Sequence, residues 1–289
     1  MKRIITFILF ALLILPLEGQ IGRYPFYTVT SPSPYCIEYQ AVMAAMTTDP
    51  SNDIKDYQNT MVEALIAGGY WARMDQLLIT ATEVNTGGEA LINWINPGTY
   101  DADNVDATAW TTLEGYTGDA TADYISTNLN PGDGGSYNYT LDDGTIGIYL
   151  RTDLLEDISV CGSFDGTTNN RISLTPHATD NLYYIRVNQN TSGVLVGIAG
   201  AATGLHVITR TASDTVSYYR NGGLVKTDTY ASSAIPNMEL CVLRMNGAGF
   251  YSAHQFSIYF VMDGIDSTDA AALNTIFETY MDAIGTGVE

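Results

Sequence analysis

The chain has 289 residues and is 46% hydrophobic, enough for one large core or for a domain with an appendage. Its 32 acidic residues outnumber 12 basic ones, for a formal charge of −20. That balance argues against a DNA- or RNA-binding face and against an anionic membrane surface, because both need basic residues; it suits solubility, or a bound cation such as calcium.

The N-terminus carries Met1, Lys2 and Arg3, followed by the apolar run IITFILFALLILPL (4–17). A positive start and an apolar run of this length predict a secretory signal over residues 1–19 rather than a comfortable membrane span; an uncleaved anchor is the alternative. With the signal removed, no membrane association is expected. Residues 20–34, rich in Pro and Ser, read as an extended leader.

Residues 35–97 read as a helical segment. In SNDIKDYQNTMVEALIAGG, Ser51 or Asn52 caps a helix whose apolar positions include Ile54, Tyr57, Met61 and Leu65, and Gly68-Gly69 stops it. Residues 70–79 read as a short helix or as a turn leading into a strand. Residues 89–97 read as a helix of one or two turns ended by Pro97.

From residue 98 to 289 the pattern changes. Short strand-like runs, among them TIGIYLRT, RISLTP, LYYIRVNQ, LHVITRTA and QFSIYFVM, alternate with Gly, Asn and Asp turns. Even spacing of this kind predicts a mainly β fold, an antiparallel two-sheet sandwich over about 99–262. In SDTVSYYRNGGLVKTDTY, Asn221-Gly222 suits a two-residue type I′ turn, which would pair Arg220 with Gly223 and Tyr219 with Leu224. A closing helix follows, capped by Asp266 or Ser267 and ended at Gly285, with Leu273, Ile276, Phe277, Tyr280, Met281 and Ile284 as its apolar stripe.

Three cysteines, Cys36, Cys161 and Cys241, cannot all pair within one chain. Buried free thiols are expected at Cys161 and Cys241, with a bridge between them as the alternative. The three histidines (His177, His206 and His254) are scattered, and His206 reads as a core or strand-pairing residue.

The ordered set Leu205-His206, Thr209-Arg210 and Tyr219-Arg220-Asn221-Gly222, followed by FSIYFVMDGIDSTDAAALNTIFETYM, resembles the concanavalin A-like (laminin-G-type) lectin and glucanase jelly rolls. It departs from them at Leu205, where a Trp is usual. MVEALIAGGYWARMDQLLITATE with LEGYTGDATADYISTNLNP further resembles phage, prophage and secreted bacterial members, in which a helical segment precedes the jelly roll. The resemblance implies a carbohydrate-binding or adhesive module, secreted or carried on a virion, with a cell-surface glycan or polysaccharide as partner and assembly as a homo-oligomer or within a virion. The alternatives are a structural assembly protein with no glycan site, and a divergent glycan-cleaving enzyme. The family's glucanases place carboxylates as Glu-x-Asp-x-x-Glu on one strand face, about 5–5.5 Å apart where acid and nucleophile flank the bond. No strand here carries that pattern, so no catalytic residue is assigned.

Sugar rings stack on aromatic faces, while Asn and Asp fix their hydroxyls. The loop 130–144 offers Tyr137 and Tyr139 as stacking surfaces and Asp133, Asp142 and Asp143 as hydroxyl partners. Tyr116, Asn169 and Asn170 complete the candidate ligand set. No cofactor is required by this reading. Asp142 and Asp143 are the candidates should the acidic loop take calcium, though no metal site is assigned. The run DADNVD (101–106) reads as a solvated turn.

Overall fold

The computed structural model describes residues 33–190 and 194–289. The expected signal segment lies outside the described residues, as does nearly all of the expected leader. No helix among the described residues is long and apolar enough to cross a membrane.

Among the described residues two helices come first, α1 (Ile37–Ala45) and α2 (Asn52–Ala67), and fifteen strands follow in chain order. They are β1 (Met74–Ile79), β2 (Asp103–Val105), β3 (Ala109–Thr111), β4 (Gly115–Thr117), β5 (Tyr124–Ser126), β6 (Gly144–Leu150), β7 (Cys161–Asp165) and β8 (Asn170–Thr175). The rest are β9 (Leu182–Gln189), β10 (Leu195–Ile198), β11 (Gly204–Arg210), β12 (Thr215–Arg220), β13 (Gly223–Thr229), β14 (Cys241–Val242) and β15 (Gln255–Met262). Helix α3 (Ser267–Ala283) closes the fold.

The strands form two antiparallel sheets. Sheet A runs β13-β12-β11-β6-β15-β4-β3, and sheet B runs β10-β9-β8-β7-β14-β5-β2. On one edge, β15 pairs with β6. On the other it is shared, with Gln255 and Phe256 facing β4 and the stretch from Ile258 to Met262 facing β1. The expected sandwich is therefore present, flanked by helices at both ends of the sequence.

Of the two readings of residues 70–79, the turn leading into a strand is the one formed: a 3-10 turn (Trp71–Arg73) runs into β1, which joins sheet A. Other local expectations are corrected. The helix expected over 89–97 is one 3-10 turn, Glu89–Leu91. The run DADNVD is not a free turn: Asp103–Val105 form edge strand β2 against β5. Ser51 sits at the N-cap of α2 but makes no side-chain cap bond.

The hairpin follows its expectation. Arg220 pairs with Gly223 and Tyr219 with Leu224, and Asn221 and Gly222 have φ of 49° and 71°. Positive φ at both central residues defines the type I′ turn, whose twist matches that of the strands. In α3, Asp266 accepts hydrogen bonds from the backbone N–H groups of Thr268 and Asp269 at 2.8 and 3.0 Å, and Gly285 follows the last turn with φ of 78°.

Two apolar clusters show how the layers stack. One lies between the sheets and includes Ile146, Ile148, Ile172, Leu174, Ile185, Val187, Ile208 and Tyr259. The other lies between sheet A and the helices; there Leu65 of α2 and Phe277 of α3 meet Val207, Ile258 and Phe260. Sheet A is therefore covered on both faces, which is why β6, β11 and β15 are buried at every position. Sheet B has one covered face and one facing solvent.

Gly147 in β6 lies opposite Phe260 in β15, and a Cβ at Gly147 would come within 2.1 Å of the Phe260 ring. Phe260 in turn packs on Phe277 of α3 at 5.5 Å between ring centres. Gly147→Ala should push one ring into the other and cost about 1–3 kcal/mol, the usual range for overpacking a core. Urea unfolding of the variant checks this, and an unchanged midpoint would show that the ring yields freely.

Cys161 and Cys241 are buried, and Cys36 is partly buried; all three are free thiols. Burial pushes the Cys161 and Cys241 thiols up to about 12. Cys161 pairs across the ladder with Val242 rather than with Cys241, so the bridge considered from sequence is not formed.

Candidate functional site

Alternation along the strands decides what the open face of sheet B carries. On β9, Tyr183, Ile185 and Val187 point to the inter-sheet core, leaving Tyr184 and Arg186 on the opposite side. On β8, Ile172 and Leu174 point inward, leaving Arg171, Ser173 and Thr175 outward. β8 and β9 are neighbours, with Ser173 opposite Arg186 and Thr175 opposite Tyr184.

Loops turn this face into a cleft of about 510 Å³. Arg171, Thr175, Tyr184 and Arg186 line its floor. One wall comes from Asp157, Ile158 and Ser159 before β7 and from Ala178, Thr179 and Asp180 between β8 and β9. The other comes from Met245, Ala248 and Phe250, in the loop after β14. That loop is fixed to β7: the Phe164 N–H donates to the Asn246 carbonyl at 2.8 Å, and the Asn246 N–H donates to the Gly162 carbonyl at 3.1 Å. Phe250 is 64% exposed, an unusual state for a phenylalanine that has a core nearby.

The polar groups of the cleft divide into two kinds. The carboxylates are held by the protein's own donors. Asp157 accepts from the Thr179 N–H and hydroxyl at 2.9 and 2.7 Å, and these bonds hold its carboxyl below the usual range. Asp180 accepts from the Leu182 N–H at 3.0 Å and from the Tyr184 hydroxyl, which pushes that phenol up. The guanidinium groups are not held in this way. Neither Arg171 nor Arg186 has an ion pair or side-chain hydrogen bond among the described residues, and the Nε of each is buried without a partner. Arg171 lies over the Phe164 ring at 4.1 Å. Arg186 is pulled below its ordinary value, first by burial and then by the charge of Arg171.

The residues picked out from sequence lie elsewhere, and none lines this cleft. Three are corrected by burial. Tyr139 is 2% exposed; its hydroxyl donates to Asn188 at 2.9 Å, so its ring offers no stacking surface. Tyr116 is also 2% exposed and accepts from Asn85 at 2.8 Å. Asn170 is buried, with its amide spent on Thr168 and Ser233.

The others stay at or near the surface. Tyr137 is partly exposed and joins Asp133 and Tyr100 through its hydroxyl, at 3.0 Å each. Asp142 accepts from Ser232 and Asp143 from the Gly264 N–H, at 2.5 and 2.9 Å. Asn169 occupies the turn after β7 with φ of 60°. The loop as a whole is tied down from β1, where the Asp75 carboxylate accepts the N–H groups of Asn138 and Tyr139 at 2.7 and 2.8 Å.

Two of the three histidines, scattered in sequence, are linked in space through Asp153 and Ala202. His177 contacts the Asp153 carboxylate at 3.1 Å; Asp153 accepts the Ala202 N–H at 2.8 Å; and His206 meets the Ala202 carbonyl at 2.8 Å. His206 is fully buried, and burial pulls it down to about 3, which fits the core role expected for it. No group of three or more His, Cys, Asp or Glu among the described residues is arranged to hold a metal ion.

No family model and no curated protein matches this sequence. Solved structures do match the fold. The receptor binding domain of botulinum neurotoxin C/D mosaic serotype has a TM-score of 0.53 and 8% identity, covering 71% of this chain and 51% of its own. The botulinum neurotoxin serotype D binding domain has a TM-score of 0.51 and 10% identity, covering 71% and 52%. A Trypanosoma rangeli sialidase, solved with 2,3-difluorosialic acid, has a TM-score of 0.52 and 13% identity, covering 82% and 39%. The chain thus spans about half the length of the neurotoxin domains and less of the sialidase. These likenesses agree with a mainly β, two-sheet antiparallel sandwich.

Proposed function

We propose that this chain is a carbohydrate-binding module on a concanavalin A-like jelly roll, acting outside the cell or on a virion, and that it holds a cell-surface glycan in the cleft on sheet B. The observation that carries this reading is the cleft itself. It lies on the free face of a sandwich whose other sheet is covered on both sides. It combines an exposed Phe250 and the Tyr184 ring with hydrogen-bonding groups, the mixture that sugar rings require. The fold neighbours add support, since two are described as toxin binding domains and one as a sialidase bound to a sialic acid derivative.

Binding without cleavage suits the same geometry. Both cleft carboxylates are engaged by the protein's own donors, Asp157 by the Thr179 N–H and hydroxyl and Asp180 by the Leu182 N–H and the Tyr184 hydroxyl.

Phe250→Ala and Tyr184→Ala should each weaken binding on a glycan array about tenfold, the size of one lost ring-stacking contact. Melting temperature should hold for Phe250→Ala, because that ring is already in solvent. Chelation should leave binding unchanged, since no cleft group needs a cation. Loss of binding on Tyr137→Ala with none on Tyr184→Ala would move the site to the loop 130–144. Release of reducing ends from a bound polysaccharide would replace binding with catalysis.

A further inference from the structure

Among the described residues, Arg171, Arg186 and Arg244 each have a buried Nε without a partner; Arg244 lies over the Tyr124 and Tyr251 rings, at 4.3 and 5.1 Å, whereas Arg171 and Arg186 stand together in the cleft. The chain has 32 acidic residues and only 12 basic ones, so carboxylates are abundant. Other arginines use them: Arg73 is held by Asp263 and Asp269 at 2.8 and 3.0 Å. Arg210, fully buried, is instead met by the carbonyls of Val187, Ala212, Ser213 and Tyr230. Arg171 and Arg186 have neither kind of partner among the described residues. They stand on neighbouring strands, close enough for the charge of one to act on the other. Two like charges side by side, each with a buried and unpartnered Nε, are costly unless something neutralises them.

The two carboxylates of the same cleft do not neutralise them. Asp157 is turned to Thr179, and Asp180 to Leu182 and Tyr184. The acids line a wall and the arginines the floor, so an incoming anion would meet the guanidinium groups while its neutral hydroxyls meet the acids. Thr175, opposite Tyr184 on the floor, adds a hydroxyl. Phe250 and Met245 supply an apolar wall for a ring face. A planar guanidinium binds a carboxylate through two parallel N–H···O bonds, which gives it a geometric preference for that group. The net charge of −20 opposes polyanions at long range, which favours a ligand with one carboxylate on an otherwise neutral body over a nucleic acid.

We propose that Arg171 and Arg186 together form the anchor for the carboxylate of an acidic sugar, so that the cleft selects carboxylate-bearing glycans over their neutral counterparts. The inference rests on the carbohydrate-binding reading of the same cleft and adds its ligand class.

The test uses the full chain in titration calorimetry with two pairs of probes and one single probe. Sialyllactose is compared with lactose, and oligogalacturonate with its carboxyl-reduced form; a sulfated, carboxylate-free oligosaccharide is the third arm. At least one acidic member should bind about ten- to hundredfold more tightly than its neutral partner, as expected for charge-assisted hydrogen bonds. The pair that shows the difference identifies the source of the carboxylate as a sialic or a uronic acid. Arg186→Gln should abolish the preference while leaving the melting temperature within a few degrees, because its guanidinium holds no partner in the fold. Arg186→Lys should restore only part of it, since an ammonium lacks the two-pronged geometry.

Equal binding of acidic and neutral members would overturn the inference and leave the carbohydrate-binding reading standing. A preference that survives Arg186→Gln and Arg171→Gln would overturn it as well. Tighter binding of the sulfated probe than of either carboxylate would show a general anion site in its place. Binding of nothing, on these probes and on the glycan array, would remove both readings together.

Discussion

Phe277→Ala is expected to destabilise the protein by about 3–5 kcal/mol, the range for removing a buried phenylalanine. The side chain is fully buried and lies in the cluster between sheet A and the helices. It packs on Phe260 at 5.5 Å between ring centres, and the Phe260 ring in turn fills the space beside Gly147. Phe260 cannot follow the ring outward, because it is one of the central residues of β15 and is held in the ladder opposite Gly147. The cavity therefore stays, and its cost adds to the lost apolar burial. Denaturant unfolding followed by circular dichroism measures the change. A loss below about 1 kcal/mol would mean that α3 does not depend on this contact for its docking, contrary to the burial of Leu273, Tyr280 and Met281 beside it.

Arg210→Met should cost about 3 kcal/mol or more, for a different reason. The guanidinium is fully buried and gathers four carbonyls, from Val187 at 3.0 Å, Ala212 at 3.2 Å, Ser213 at 3.1 Å and Tyr230 at 2.9 Å. Those carbonyls belong to β9, to the turn between β11 and β12, and to the chain leaving β13. One side chain therefore ties sheet B to the far end of sheet A. Methionine fills similar volume but donates nothing, so buried acceptors lose their partner. Burial pulls the guanidinium below its ordinary value, yet it stays charged at any pH at which the fold exists. Arg210→Lys should recover part of the loss, since three donors on one nitrogen cannot reach all four acceptors. A urea midpoint for Arg210→Met within error of the parent would show that water replaces the arginine without penalty.

The architecture was readable where local chemistry decides it. The Asn221-Gly222 hairpin, its register and the Asp266 cap of α3 each depend on a few adjacent residues, and the structure contains all three. So was the difference between the sheets, although it takes the structure to see its meaning. QFSIYFVM in β15 is buried at all eight positions, while LYYIRVNQ in β9 alternates over its first six. Continuous burial marks a strand covered on both faces, and alternation marks one with a solvent face. Tyr184 and Arg186 stand on the polar side of that alternation, so the strongest part of the cleft had a signal in the sequence. Composition hid it, because Tyr-rich and Gly-rich loops resemble a binding rim more than a strand does. The loop 130–144 was the attractive choice, but Asp75, far back in the chain, binds Asn138 and Tyr139 and draws the Tyr139 ring inside. No local pattern announces such a capture. The walls of the cleft were equally hidden, since they come from loops near residues 157, 179 and 248 that meet only when the sandwich closes.

The placement of β14 and β15 has a bearing on the order in which the fold can arise. β15 is inserted between β6 on one edge and β4 and β1 on the other, and β14 is inserted between β7 and β5. Each sheet is thus joined through its middle by a segment made after all its neighbours. A growing chain that has not yet reached Cys241 holds two sets of half-sheets with open edges and no partner to close them. Its contacts are also distant in sequence, which makes pairing slow. Completion waits for the arrival of residues 241–262, and docking of α3 on sheet A waits longer still. Until then neither sheet can close, an order that would suit a chain threaded through a membrane pore before it folds.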